Sequence, residues 1–167
     1  MIVYLKGDAT DPQAKGPKLI IHICNTIGGW GRGFVLSVSK RWTAPERCYR
    51  NWHKNRIHSE VYGEDKVFEL GAVQIVQVKH DTWVVNMIAQ KGIGMGSNGP
   101  PIQYKALESC LQKVDLIAME KQASIHAPRI GCSLSGGSWS KVEPLLSETL
   151  KNHMVYIYDV RGSTYNS

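Results

Sequence analysis

The sequence predicts an α/β fold, a three-layer α/β/α sandwich with a mixed central sheet, and three observations carry that expectation. Short apolar runs rich in β-branched residues alternate with segments of helical character, the arrangement of a layered α/β domain. Two of the runs, residues 72–78 and 82–89, are joined only through His80-Asp81 and read as a hairpin, which makes the sheet mixed. The chain has 167 residues, 43% of them hydrophobic and 20% charged, enough for a single compact core.

Each element follows from local pattern. Residues 2–5 (IVYL) form an apolar run closed by Gly7, and residues 18–24 (KLIIHIC) form a second strand leading into a glycine-rich stretch. Residues 34–40 and 45–54 read as helical, with Thr43 a cap two residues before Pro45, a residue suited to a first turn. Gly63 to Asp65 marks a turn before the hairpin. Residues 90–101 hold four glycines and two prolines and read as a long loop. Over residues 102–122, Leu107, Cys110, Leu111, Val114, Ile117 and Ala118 keep a 3.6-residue period, so this helix covers one sheet face. Residues 124–130 form another strand. Ser140-Lys141-Val142-Glu143 has capping-box form and starts a last helix, and residues 154–160 (MVYIYDV) close the sheet. One domain over residues 1–160 with a frayed tail at 161–167 is the expected organisation.

Composition narrows the class of protein. The longest apolar stretches, residues 19–21 and 83–85, fall far short of the roughly 20 residues needed to cross a bilayer. Gly7-Asp8 and Asp11 interrupt any secretory h-region, so a cytoplasmic protein with no membrane partner is expected. Cys24, Cys48, Cys110 and Cys132 show no paired spacing and read as free thiols. Of the six histidines, His53, His58, His80, His126 and His153 lack metal-ligand spacing, and neither metal nor cofactor is expected. The net charge of +6 is concentrated between Lys40 and Arg56, where Trp42, Tyr49 and Trp52 interleave with the basic residues. This segment reads as a solvated helix with its aromatic side turned inward, and a phosphate-rich partner such as nucleic acid is the less favoured alternative.

Two glycine-rich loops, residues 28–33 (GGWGRG) and 131–137 (GCSLSGG), each leave a strand and lead toward a helix. Glycines let backbone N–H groups converge on an anion, and the positive end of the following helix adds to the attraction. The first loop lacks the third glycine of the dinucleotide fingerprint and there is no Walker A lysine, which disfavours ordinary NAD and ATP folds.

With Gly7-Asp8-Ala9-Thr10, His22-Ile23-Cys24-Asn25 before GGWGRG, Asn86-Met87-Ile88-Ala89-Gln90 and Pro128-Arg129-Ile130-Gly131-Cys132 in this order, the chain resembles a macrodomain. The likeness covers residues 2–159 and is greatest to the branch of ADP-ribose-1''-phosphate phosphatases and terminal ADP-ribose protein glycohydrolase. It implies an ADP-ribose site in which Asp8, beside Ala9, accepts the adenine amino group and Tyr158 stacks on the base. Gly29, Trp30, Gly31 and Gly33, with Pro128, Ile130, Gly131, Cys132, Ser133, Leu134, Ser135, Gly136 and Gly137, would surround the diphosphate and distal ribose. Asn25 would contact that ribose, and His22 would supply acid–base chemistry at the 1'' position. Because positions 22 and 25 have opposite strand parity, both reach one site only if the backbone turns near Cys24. The chain departs from the glycohydrolase pattern: Gln90 and Ser135 stand where that branch has its lysine and aspartate, Lys91 is one residue out of place, and Arg32-Gly33 replace the water-activating aspartate of another branch. Two readings stay open, a hydrolase acting on ADP-ribose 1''-phosphate or an ADP-ribosyl ester, and a non-catalytic reader of free or protein-linked ADP-ribose.

Overall fold

A computed structural model describes residues 1–56, 67–92, 101–132 and 136–160. The turn expected at residues 63–65, most of the long loop, Ser133, Leu134, Ser135 and the tail at 161–167 lie outside the described residues. The chain runs β1 (Ile2–Lys6), β2 (Lys18–Asn25), α1 (Phe34–Arg41), α2 (Ala44–Asn55), β3 (Val73–Lys79), β4 (Thr82–Gln90), α3 (Tyr104–Lys121), β5 (Ser124–Ala127), α4 (Trp139–Thr149) and β6 (Val155–Asp159). Its strands form one sheet in the order β1-β6-β5-β2-β4-β3. Only the hairpin strand β3 is antiparallel to its neighbour. The other five strands therefore end along one edge, and the loops after β1, β2, β4 and β5 gather there.

Strand alternation sorts the core into two layers. Leu19, Ile21, Val85, Met87, Ile125, Ala127, Val155 and Ile157 face α3 and α4, packing against Leu107, Leu111, Val114, Val142 and Leu146. Ile20, Cys24, Val84 and Ile88 face the opposite way, under Val35 and Val38 of α1 and Tyr49 and Trp52 of α2. This is the expected three-layer sandwich. Tyr49 and Trp52, three residues apart, are fully buried while Arg47, Arg50 and Lys54 are exposed, so the aromatic side of α2 turns inward as its spacing predicts.

Several boundaries differ from expectation for local reasons. β5 stops at Ala127 rather than at residue 130, because Pro128 has no N–H to give the ladder. The last helix begins at Trp139 with Ser138 as cap, so the Ser140–Glu143 capping box does not form. Glu143 instead accepts hydrogen bonds from the Tyr4 hydroxyl and Trp139 Nε1. Thr43 holds the cap position of α2 but makes no side-chain cap bond. Ile102 lies ahead of α3 and bridges to Gln90, closing the base of the long loop.

Candidate functional site

The cleft is best built from its first strand. After β1, Asp8 Oδ1 accepts from the Thr10 amide at 2.8 Å and the Thr10 hydroxyl at 2.7 Å, which folds the chain back on itself. Arg41, at the end of α1, donates to Thr10 Oγ1 at 2.7 Å and lies 3.4 Å from Asp8 Oδ2. Partial burial works against the Asp8 charge, but the Thr10 bonds and Arg41 outweigh it and hold the carboxyl below its ordinary value. Beside it lies a cavity of about 380 Å³ whose walls include Gly7, Asp8, Asp11, His126, Tyr156 and Tyr158. The structure thus brings two of the sequence-assigned residues, Asp8 and Tyr158, to one cavity.

The glycine-rich loop after β2 is held by Asn25. Its Oδ1 accepts from the amides of Ile27 and Gly29 at 3.1 and 2.9 Å and from the Tyr49 hydroxyl at 2.9 Å, and its Nδ2 donates to Gly29 O at 3.0 Å. The Tyr49 hydroxyl also lies 2.5 Å from Asn25 O. A register shift between Cys24 and Asn25 supplies the backbone turn that the parity of positions 22 and 25 demands. Arg50 on α2 binds Gly28 O, and Gly28, at φ +75°, sits where a Cβ would lie 2.6 Å from His53 Nδ1. Gly31 has open space on its Cα and, with Arg32 and Gly33, is exposed.

The loop after β5 is anchored by Arg129. Its guanidinium pairs with both Asp159 carboxylate oxygens at 2.7 and 3.1 Å and lies over the Tyr4 and Trp139 rings. Arg129 keeps the Asp159 carboxyl below its usual range. Gly131 adopts φ +78° and packs so tightly that a Cβ would stand 2.5 Å from Ile102 Cδ1. The Gly137 amide donates to Gly131 O at 2.6 Å and closes the loop on itself. Burial pushes the Cys132 thiol up to about 11, which keeps it protonated.

Other assigned residues sit beneath the cleft rather than in it. The His22 imidazole is buried, with Nε2 2.5 Å from Asn86 Oδ1 and its ring edge-on to Trp30. Asn86 Nδ2 in turn donates to Gln74 Oε1 and Pro45 O. Burial lowers His22 to about 4, so it is a neutral group packed in the core beneath the loop. Trp30 is 4% exposed and donates from its indole to Ser39, so its side chain packs in the core under the loop. Ala9 and Ile130 are each 3% exposed, leaving only their backbone groups for recognition. Gln90 is buried and donates to Gly92 O, bracing the long loop.

The sequence reading missed His126, Tyr156 and Asp11 in the cavity wall, and Tyr49 and Arg41 behind the loops. A signal existed for the first two. Ser124, His126, Tyr156 and Tyr158 alternate with Ile125, Ala127, Val155 and Ile157, which marks a sheet face carrying polar and aromatic groups.

A mainly parallel sheet whose strand ends carry two glycine-rich loops and a cavity walled by carboxylates and aromatic rings defines an α/β ligand-binding domain. No protein-family model matches the chain. A macrodomain protein from Streptomyces coelicolor is 48% identical, with a TM-score of 0.80 and coverage of 95% of this chain and 99% of that one. The chain belongs to the macrodomain family. Thermosipho africanus DarTG in complex with ADP-ribose shares the fold at a TM-score of 0.66 and 19% identity, over 89% of this chain and 39% of that one. The ADP-ribose 1''-phosphate phosphatase of Candida albicans is 28% identical over 167 residues, 94% of this chain and 99% of that protein. The chromodomain-helicase-DNA-binding protein 1-like of Danio rerio is 30% identical over 177 residues, which is 98% of this chain but only 16% of that much longer relative.

Proposed function

We propose that this macrodomain recognises ADP-ribose or an ADP-ribosylated molecule, with the base in the Asp8–Tyr158 cavity and the diphosphate across the two glycine-rich loops. The observation that carries this reading is the cavity itself: a charged acceptor and an aromatic ring share one pocket at the strand ends. Asp8 Oδ2 takes an amino-group donor while Oδ1 stays bound to Thr10, and Tyr158 supplies a flat apolar face. Gly31 leaves room for a phosphate beside Gly33 and the start of α1, where backbone N–H groups favour an anion.

Hydrolysis of ADP-ribose 1''-phosphate is the second reading, favoured by the likeness to the Candida phosphatase over almost the whole of both chains. With His22 sealed in the core and Asn25 fixing the loop, such a reaction would rest on orienting the phosphate and its attacking water through the loop backbone rather than on an imidazole.

Calorimetric titration with ADP-ribose, followed on the same preparation by an assay of phosphate release from ADP-ribose 1''-phosphate, separates these readings. Binding with release supports the phosphatase, and binding without release supports a reader or an ester hydrolase. Absence of binding refutes both. Raising the salt concentration should weaken binding only modestly, whereas a polyanion held by the basic face of α2 would be lost steeply.

A further inference from the structure

We propose that His126 is a positioning residue for base recognition: it fixes the Tyr158 ring in the cavity wall by hydrogen-bonding its hydroxyl. The inference rests on the ADP-ribose reading above. His126 is fully buried on β5, directly opposite Tyr156 of β6 in the sheet register. Its Nδ1 lies 2.7 Å from the Tyr158 hydroxyl and its Nε2 lies 2.7 Å from Ser124 Oγ. The imidazole stacks on the Tyr156 ring at 5.0 Å with a 7° interplanar angle, so it cannot rotate away from either partner.

Burial, helped by the nearby Lys18 charge, lowers His126 to about 4, so the ring is neutral and offers one donor and one acceptor. Ser124, His126 and Tyr158 therefore form a chain in which each hydrogen bond fixes the direction of the next. Burial also raises the Tyr158 phenol to about 12, which keeps it an uncharged partner in that chain. A tyrosine held only at its Cα can swing about χ1, but one held also at its hydroxyl presents a fixed face. That face borders the same cavity as Asp8, so the buried imidazole, bonded to the Tyr158 hydroxyl, sets the stacking surface relative to the carboxylate.

The test is a double-mutant cycle read by ADP-ribose titration of the wild type, His126→Phe, Tyr158→Phe and the double variant. Each single change should weaken binding about fivefold to tenfold, the size of one hydrogen bond. The double variant should lose no more than either single one, because both remove the same bond. Ser124→Ala, a milder change should His126→Phe fail to fold, should give a smaller loss in the same direction. Multiplying losses in the double variant, or full affinity in His126→Phe, would overturn the proposal.

A second readout needs no ligand. In protein labelled with 3-fluorotyrosine, the Tyr158 fluorine resonance, assigned by its disappearance in Tyr158→Phe, should move in His126→Phe or Ser124→Ala. A resonance that stays in place overturns the positioning role. If the wild type fails to bind ADP-ribose, the functional reading falls, and the fluorine signal still decides whether His126 holds the ring.

Discussion

Lowering the pH from 7.5 to 5 should destabilise this fold through two buried imidazoles before any carboxylate contributes. His22 and His126 are both buried, and burial lowers each from an ordinary 6.5 to about 4. Between those values the unfolded chain takes up protons that the folded chain refuses, so stability rises with pH and is lost as pH falls below 6.5. At pH 5 the linkage amounts to about 2 kcal/mol for each imidazole, or about 4 kcal/mol for the pair. That is a large share of the roughly 5–15 kcal/mol that holds a typical domain together. His53, lowered by partial burial and by Arg56 and Arg50, adds in the same direction. Asp8 and Asp159 are held below ordinary carboxylate values, so their contribution is lost only at more acid pH. Urea unfolding at a series of pH values measures the slope directly, and His22→Phe and His126→Phe should each remove close to half of it. A loss below about 1 kcal/mol across the interval, or slopes unchanged in both variants, would refute the assignment of neutral buried imidazoles.

Three further outcomes follow from the loops. Asn25→Ala removes the acceptor for two loop amides and the Tyr49 hydroxyl, and should cost about 2 kcal/mol of stability and lower ligand affinity and any turnover together; turnover lost with affinity intact would mean a direct chemical role. Gly131→Ala places a methyl 2.5 Å from Ile102 Cδ1 at φ +78° and should destabilise the domain by about 2 kcal/mol while weakening ADP-ribose binding, as thermal melts and titration would show. Arg129→Met strands the Asp159 carboxylate and should cost about 3 kcal/mol, with Asp159→Asn in the same chain restoring part of it; no restoration would deny the coupling of the pair.

The sequence predicted the order and type of every described element because apolar period reports burial, and burial drives this fold. It also located the loops, since glycine is the residue that most readily takes the positive φ found at Gly28, Gly33, Gly131 and Gly136. Which side chains reach the cleft was far less legible. His22 and Cys24 precede the loop and Trp30 lies within it, but all three point into the layer under α1 and α2, and nothing in their spacing distinguishes a core imidazole from a catalytic one. Asn25 carries the residue type of a ribose contact, yet its amide is occupied by the loop's own backbone, a pairing that depends on Tyr49 arriving from α2. The Ser140–Glu143 motif failed as a cap because Tyr4 and Trp139 compete for the same carboxylate, a tertiary contact that local pattern cannot contain. His126 escaped notice because its two tyrosine partners lie on β6, joined to it only through the sheet, although Ser124 precedes it on its own strand.

The pairing of β1 with β6 has a consequence for biosynthesis. Ile2 aligns with Val155 and Lys6 with Asp159, so the first strand made has no permanent neighbour until the last has left the ribosome. The cavity wall draws Asp8 from one of these strands and Tyr158 from the other. A nascent chain can therefore assemble the β2-β4-β3 half and its aromatic layer early, but the pocket appears only once β6 has been made. Any ligand that stabilises the fold then acts only on chains that already contain β6, and a chain interrupted before Val155 emerges has an open sheet edge that chaperones and proteases can read.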